Sequence, residues 1–146
     1  MDSRAKPHLL NYGTRSAVLL ALALNAAAAG CTPGEPRGDP ARGRALYNQT
    51  TVAGAPGCIN CHGTSEENEK LGPPHNGIAT RAEQTIRSDE YQGDADDIAG
   101  YLRESIVRPN RYVLESYQPG VMVQDYGERM SDQQIADLVA YLLTLK

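Results

Sequence analysis

The sequence predicts an all-α domain of three main helices joined by long loops. Three stretches carry that prediction. Near the C-terminus Ser131 and Gln134 make a Ser-x-x-Gln capping box, and Ile135, Leu138, Val139, Leu142 and Leu143 form one apolar stripe to the end of the chain. In the middle, Ile98, Tyr101, Leu102 and Ile106 recur at helical spacing and Pro109 stops the run. At Asp39-Pro40 an N-cap acceptor precedes a proline suited to the first helical position.

The 146 residues leave room for one domain behind a leader. Residues 1–30 read as a signal peptide. Arg4, Lys6 and Arg15 make a positive leader, Ala17 to Ala29 is a short run of Ala, Leu and Val broken by Asn25, and Ala28-Ala29-Gly30 supply the small residues of a cleavage site. The run is short for a membrane span.

Cys31 follows directly, and its surroundings look like a bacterial lipoprotein signal in which the cysteine becomes the lipidated first residue, although Ala28 stands where leucine is usual. Cleavage nearby that leaves a free thiol, or an uncleaved anchor, are the alternatives. Residues 31–38 then form a Pro/Gly-rich tether, and the domain proper spans 39–146. Without residues 1–30 the chain carries 11 Lys plus Arg against 17 Asp plus Glu, a formal net of −6. Such a surface argues against nucleic acid and for partners with a basic docking face.

The first helix should run from Pro40 to about Asn48. Gly43 and Tyr47 lie four apart on one face, a small residue beside a ring, where a second helix can approach closely. Thr51 to Gly57 reads as a Gly/Ala/Pro loop. It leads into Cys58-Ile59-Asn60-Cys61-His62, two thiols held two residues apart with a histidine directly after the second. This is the spacing of c-type haem attachment, in which each thiol bonds a vinyl edge of one porphyrin and the histidine lies beneath the iron. The other readings of a Cys-x-x-Cys pair are weaker. Zinc needs two more ligands and downstream there is only His75; a thioredoxin pair needs a βαβ pattern that is missing; a plain disulfide is the third alternative. All eight aromatic residues are tyrosine, so a bound haem would supply apolar bulk that the side chains lack, and the apoprotein is expected to fold poorly.

Gly63 to Lys70 is a polar surface loop. Gly72-Pro73-Pro74-His75 then makes a rigid extended turn whose carbonyls are candidates to accept a hydrogen bond from the far nitrogen of His62. One short helix is expected around Arg81 to Ile86. The middle helix is predicted to begin at Asp94 as N-cap, with Asp96 and Asp97 in its first turn. Residues 110–130 lack an amphipathic period and are read as an ordered loop carrying Met122 after Pro119-Gly120. In the last helix Asp137 falls off the apolar stripe and is read as solvent-facing; Met130, just before the cap, is read as core.

Over residues 39–146 the pattern resembles class I cytochrome c domains. The order matches: Gly43 and Tyr47 on a first helix, Cys58-x-x-Cys61-His62, Gly72-Pro73, a middle helix, a methionine loop, and a last helix with Leu138 and Tyr141. The resemblance implies a cytochrome c fold around one covalent haem c, with Cys58 and Cys61 as thioether attachments and His62 and Met122 as axial iron ligands. It implies that the Pro73 carbonyl faces His62 and that the terminal helices cross at Gly43 and Tyr47 against Leu138 and Tyr141. Two departures stand out. Val123 replaces a proline usual after the ligand methionine, and His75 replaces an apolar residue usual beside the haem; it is read as a bystander, with ligation as the alternative.

The stretch Tyr101 to Ile106 with Pro109 and Tyr112 resembles more narrowly the monohaem cytochrome subunits of respiratory oxidases and quinol-oxidising complexes. These resemblances imply an exported electron carrier, or the monohaem subunit of a multi-protein complex, held on the outer face of a membrane. The competing class is a haem enzyme or gas sensor with an open sixth position, for which His75 and Tyr117 are the candidate distal groups; a structural lipoprotein is the third.

Overall fold

In the computed structural model, residues 34–65 and 70–146 are described, and Glu35–Lys146 form one compact unit. The predicted leader and Cys31 lie outside the described residues. Among the described residues the regular structure is nearly all helical: α1 (Pro40–Tyr47), a small hairpin of β1 (Thr51–Val52) and β2 (Ala55–Pro56), then α2 (Cys58–Cys61), α3 (Ile78–Ile86), α4 (Ile98–Val107), α5 (Tyr126–Arg129) and α6 (Asp132–Leu142).

The framework is the crossing of α1 with α6, and glycine makes it possible. A Cβ on Gly43 would stand 1.8 Å from the Asp137 carbonyl oxygen and 2.8 Å from the Tyr141 Cβ, so only a residue without a side chain lets the two backbones meet. One turn on, the Tyr47 ring packs 5.3 Å from that of Tyr141. Asp39 caps α1 by accepting from the amides of Ala41 and Arg42, and Ser131 and Gln134 close the capping box of α6. Tyr47, Val52, Ile135 and Leu138 are the largest fully buried side chains, and Leu102, Ile106, Met130 and Leu142 extend the same core.

Several expectations need correction. Asp137 does not face solvent. Its side chain is 6% exposed and takes the Asp39 amide (2.7 Å), two guanidinium nitrogens of Arg42 (2.8 and 2.9 Å) and the Gln133 amide (2.9 Å). The residue lies off the apolar stripe because it faces the end of another helix, which a single-helix reading does not register.

The middle helix starts three residues later than predicted. Asp97 is its N-cap, accepting from Gly100 N–H, while Asp94 pairs with Arg108 and Arg111. The buried carboxylate of Glu104 draws residues 91–95 along α4 instead, accepting from the Tyr91 hydroxyl (2.9 Å), the Asp94 amide (2.9 Å) and Arg108 (3.1 Å). The short third helix begins at Ile78, three residues before its expected start.

Two small elements sit where loops were expected. Ala53 and Gly54 both take positive φ (49° and 78°), the turn that joins twisted strands tightly, and α5 is a single turn whose Tyr126 hydroxyl donates to the Pro56 carbonyl.

Candidate functional site

The Cys58–Cys61 segment is one turn of helix, which places residues three apart on the same side. Its base is tied down: Gly57 N–H donates to the Thr50 carbonyl (2.9 Å), and the Asn60 side-chain amide donates to the same oxygen (2.7 Å). Both cysteines are free, half-buried thiols. Burial pushes the Cys58 thiol up to about 11. His62 leaves the turn as C-cap with extended backbone, its carbonyl accepting from the buried Tyr47 hydroxyl at 3.0 Å.

The Pro-Pro stretch runs beside this turn. Gly72 N–H donates to the Cys61 carbonyl (2.9 Å) and His75 N–H to that of Gly63 (2.6 Å). The Pro73 carbonyl lies 2.9 Å from His62 Nδ1. A carbonyl can only accept, so Nδ1 carries the proton and the lone pair is left on Nε2. Burial lowers the His62 pKa against the opposing pull of that bond, which favours the neutral ring a metal ligand needs. Gly72 is required here too, since a Cβ would fall 2.4 Å from His62 Cε1. His75 packs its ring on His62 with centroids 4.1 Å apart and planes 14° apart, while its Nδ1 is buried without a partner. Burial holds its pKa well below the usual histidine value.

These groups open on a cavity of about 400 Å³ whose wall is mostly apolar. Cys58, Cys61, His62 and Met122 all line it, Met122 carried there by the 110–123 loop. That loop is shaped by Gly120, whose φ of +80° needs glycine and whose N–H donates to Asn110 Oδ1 at 2.8 Å. Val123 and Tyr117 line the cavity as well. Met130 is buried in the core and does not reach the wall. No Asp, Glu, Lys or Arg side chain lines the cavity among the described residues.

A family model described as cytochrome c matches residues 40–146. The chain belongs to the cytochrome c family. Comparison with curated proteins returned no match. Membership settles the fold class as the all-α cytochrome c fold, makes haem c the cofactor and makes haem-based electron transfer the general activity. The residues of this cytochrome c fit that group: two free thiols at Cys-x-x-Cys-His spacing, an imidazole whose free nitrogen is Nε2, a glycine where a side chain would strike that imidazole, and a largely apolar chamber. No helix among the described residues is long and apolar enough to cross a membrane.

Sequence reasoning missed two participants. Tyr47 appeared only as a helix-packing ring, yet its hydroxyl is bonded to the motif's own backbone; no local pattern signals a contact across fifteen residues. His75 was visible as an unusual residue after two prolines, but its stacking on His62 depends on the turn folding back along α2.

Proposed function

We propose that this cytochrome c is an exported electron carrier, tethered to the outer face of a membrane through a lipidated Cys31 and the 31–38 linker. In this reading Cys58 and Cys61 would hold the porphyrin by thioethers, and His62 and Met122 would supply a nitrogen and a sulfur to its iron. When bound, haem c supplies a one-electron ferric/ferrous couple. The chain's own residues do the rest. Pro73 fixes the proton on His62 Nδ1, the apolar wall keeps water from the site, and a soft thioether from Met122 raises the potential, as His/Met ligation does. The acidic surface suits redox partners with a basic docking face, and the protein serves as a free carrier or as the monohaem subunit of a respiratory complex.

The observation that carries the reading is the convergence of Met122 with the Cys-x-x-Cys-His turn on one cavity, while Met130 stays in the core. The haem enzyme or sensor class loses one of its two distal candidates, because His75 stacks on His62. The test is spectroscopic. Met122→Ala is expected to abolish the far-red methionine-to-ferric-iron band, lower the reduction potential and open the reduced form to carbon monoxide, whereas Met130→Leu should keep all three wild-type properties. Carbon monoxide binding by the unmodified protein would favour the open-site class.

A further inference from the structure

We infer that His75 is a positioning residue for the axial histidine: its ring, stacked on His62, sets the plane in which that imidazole meets the iron. The inference rests on the proposed ligation by His62. The Pro73 carbonyl fixes Nδ1, and one hydrogen bond holds one atom while leaving the ring free to rock about it. Contact with Gly72 limits that rocking, since the ring lies so close that a Cβ there would fall within 2.4 to 3.0 Å of three of its atoms. The flat His75 ring, 4.1 Å away and 14° from parallel, adds a plane to align with. An aliphatic side chain would fill similar space but has no plane and imposes no angle.

His75 is itself held firmly enough to act this way. Its N–H donates to the Gly63 carbonyl (2.6 Å), its carbonyl accepts from Ile78 N–H (3.2 Å), Pro74 restricts the backbone before it, and the Tyr47 ring lies 5.6 Å away at a tilt of 49°. The His75 Nδ1 has no partner among the groups of the described residues, and the ring also lines the cavity beside His62.

The experiment uses the full-length holoprotein and the hyperfine-shifted haem methyl resonances of its ferric form at pH 7, whose order and spread report the axial imidazole plane. His75→Phe keeps a flat ring without nitrogens, and His75→Leu removes the ring. The phenylalanine form is expected to retain the wild-type pattern and the leucine form to shift it, with the methionine-to-iron band present in both. His75→Met serves in place of leucine if that form does not fold. An unchanged pattern without the ring, or equal shifts with phenylalanine and leucine, would overturn the inference. A wild-type protein without a low-spin His/Met signature would instead overturn the ligation reading beneath it.

Discussion

Replacing Asp137 should weaken this protein although the residue sits on a helix surface away from the cavity. Its carboxylate collects four hydrogen bonds, two of them from the Arg42 fork, and joins the start of α1 to the middle of α6. Arg42 is 57% exposed, so much of the charge attraction is screened. The larger loss is the Asp39 amide, which Asp137→Ala leaves without its acceptor at a cost of about 1–3 kcal/mol. Adding the guanidinium and Gln133 contacts brings the expected loss to roughly 3 kcal/mol. Asp137→Asn keeps one oxygen for the amide and should cost about 1–2 kcal/mol.

The same contacts, the bond to Arg42 foremost, hold the Asp137 carboxyl down at about 2. A depressed carboxylate stabilises the fold fully above its unfolded pKa of about 3.9, and that contribution is lost as pH falls through the folded value. It is worth on the order of 2 kcal/mol at most, less after screening. Urea unfolding of the holoprotein, followed by far-ultraviolet circular dichroism at pH 7 and pH 3, measures both effects. The asparagine variant should lose less stability between the two pH values than wild type does. An alanine variant within about 0.5 kcal/mol of wild type at pH 7, or parallel pH profiles for wild type and Asn, would refute the clamp.

Gly43→Val should cost about 3 kcal/mol, the upper end for overpacking, because its Cβ meets Asp137 backbone and not a movable side chain; the thermal midpoint measures it. Gly72→Ala should displace His62 from the Pro73 carbonyl while leaving helix content intact, read as a split or broadened ferric spectrum against unchanged circular dichroism. Tyr47→Phe removes the hydroxyl that donates to the His62 carbonyl and should cost about 1 kcal/mol in urea unfolding. Intact-mass analysis of protein from native membranes should show a chain beginning at Cys31 with acyl mass added, and an unmodified start elsewhere would remove the lipid anchor.

The sequence by itself determined what depends on neighbours a few residues away. The capping box at Ser131, the Asp39-Pro40 start and the apolar stripe of α6 are local features, and each stands where it was expected. The thiol spacing at Cys58 and Cys61 is equally local, and it pointed to haem before any geometry was known. Gly43 was legible because a small residue four places from a ring marks a close helix contact, although its partner was named only through the family resemblance. Tertiary structure decided the rest. Asp94 follows every local rule for an N-cap, yet the buried Glu104 carboxylate of α4 and two arginines just after that helix outbid the helix for it. Asp137 looked like a solvated charge until α1 lay across it. His75 became a neighbour of His62 only when the Pro-Pro turn folded back along the motif. In all three cases the partner lies ten or more residues away, and a hydrogen bond or ring contact across that distance depends on packing that no local pattern of side chains records.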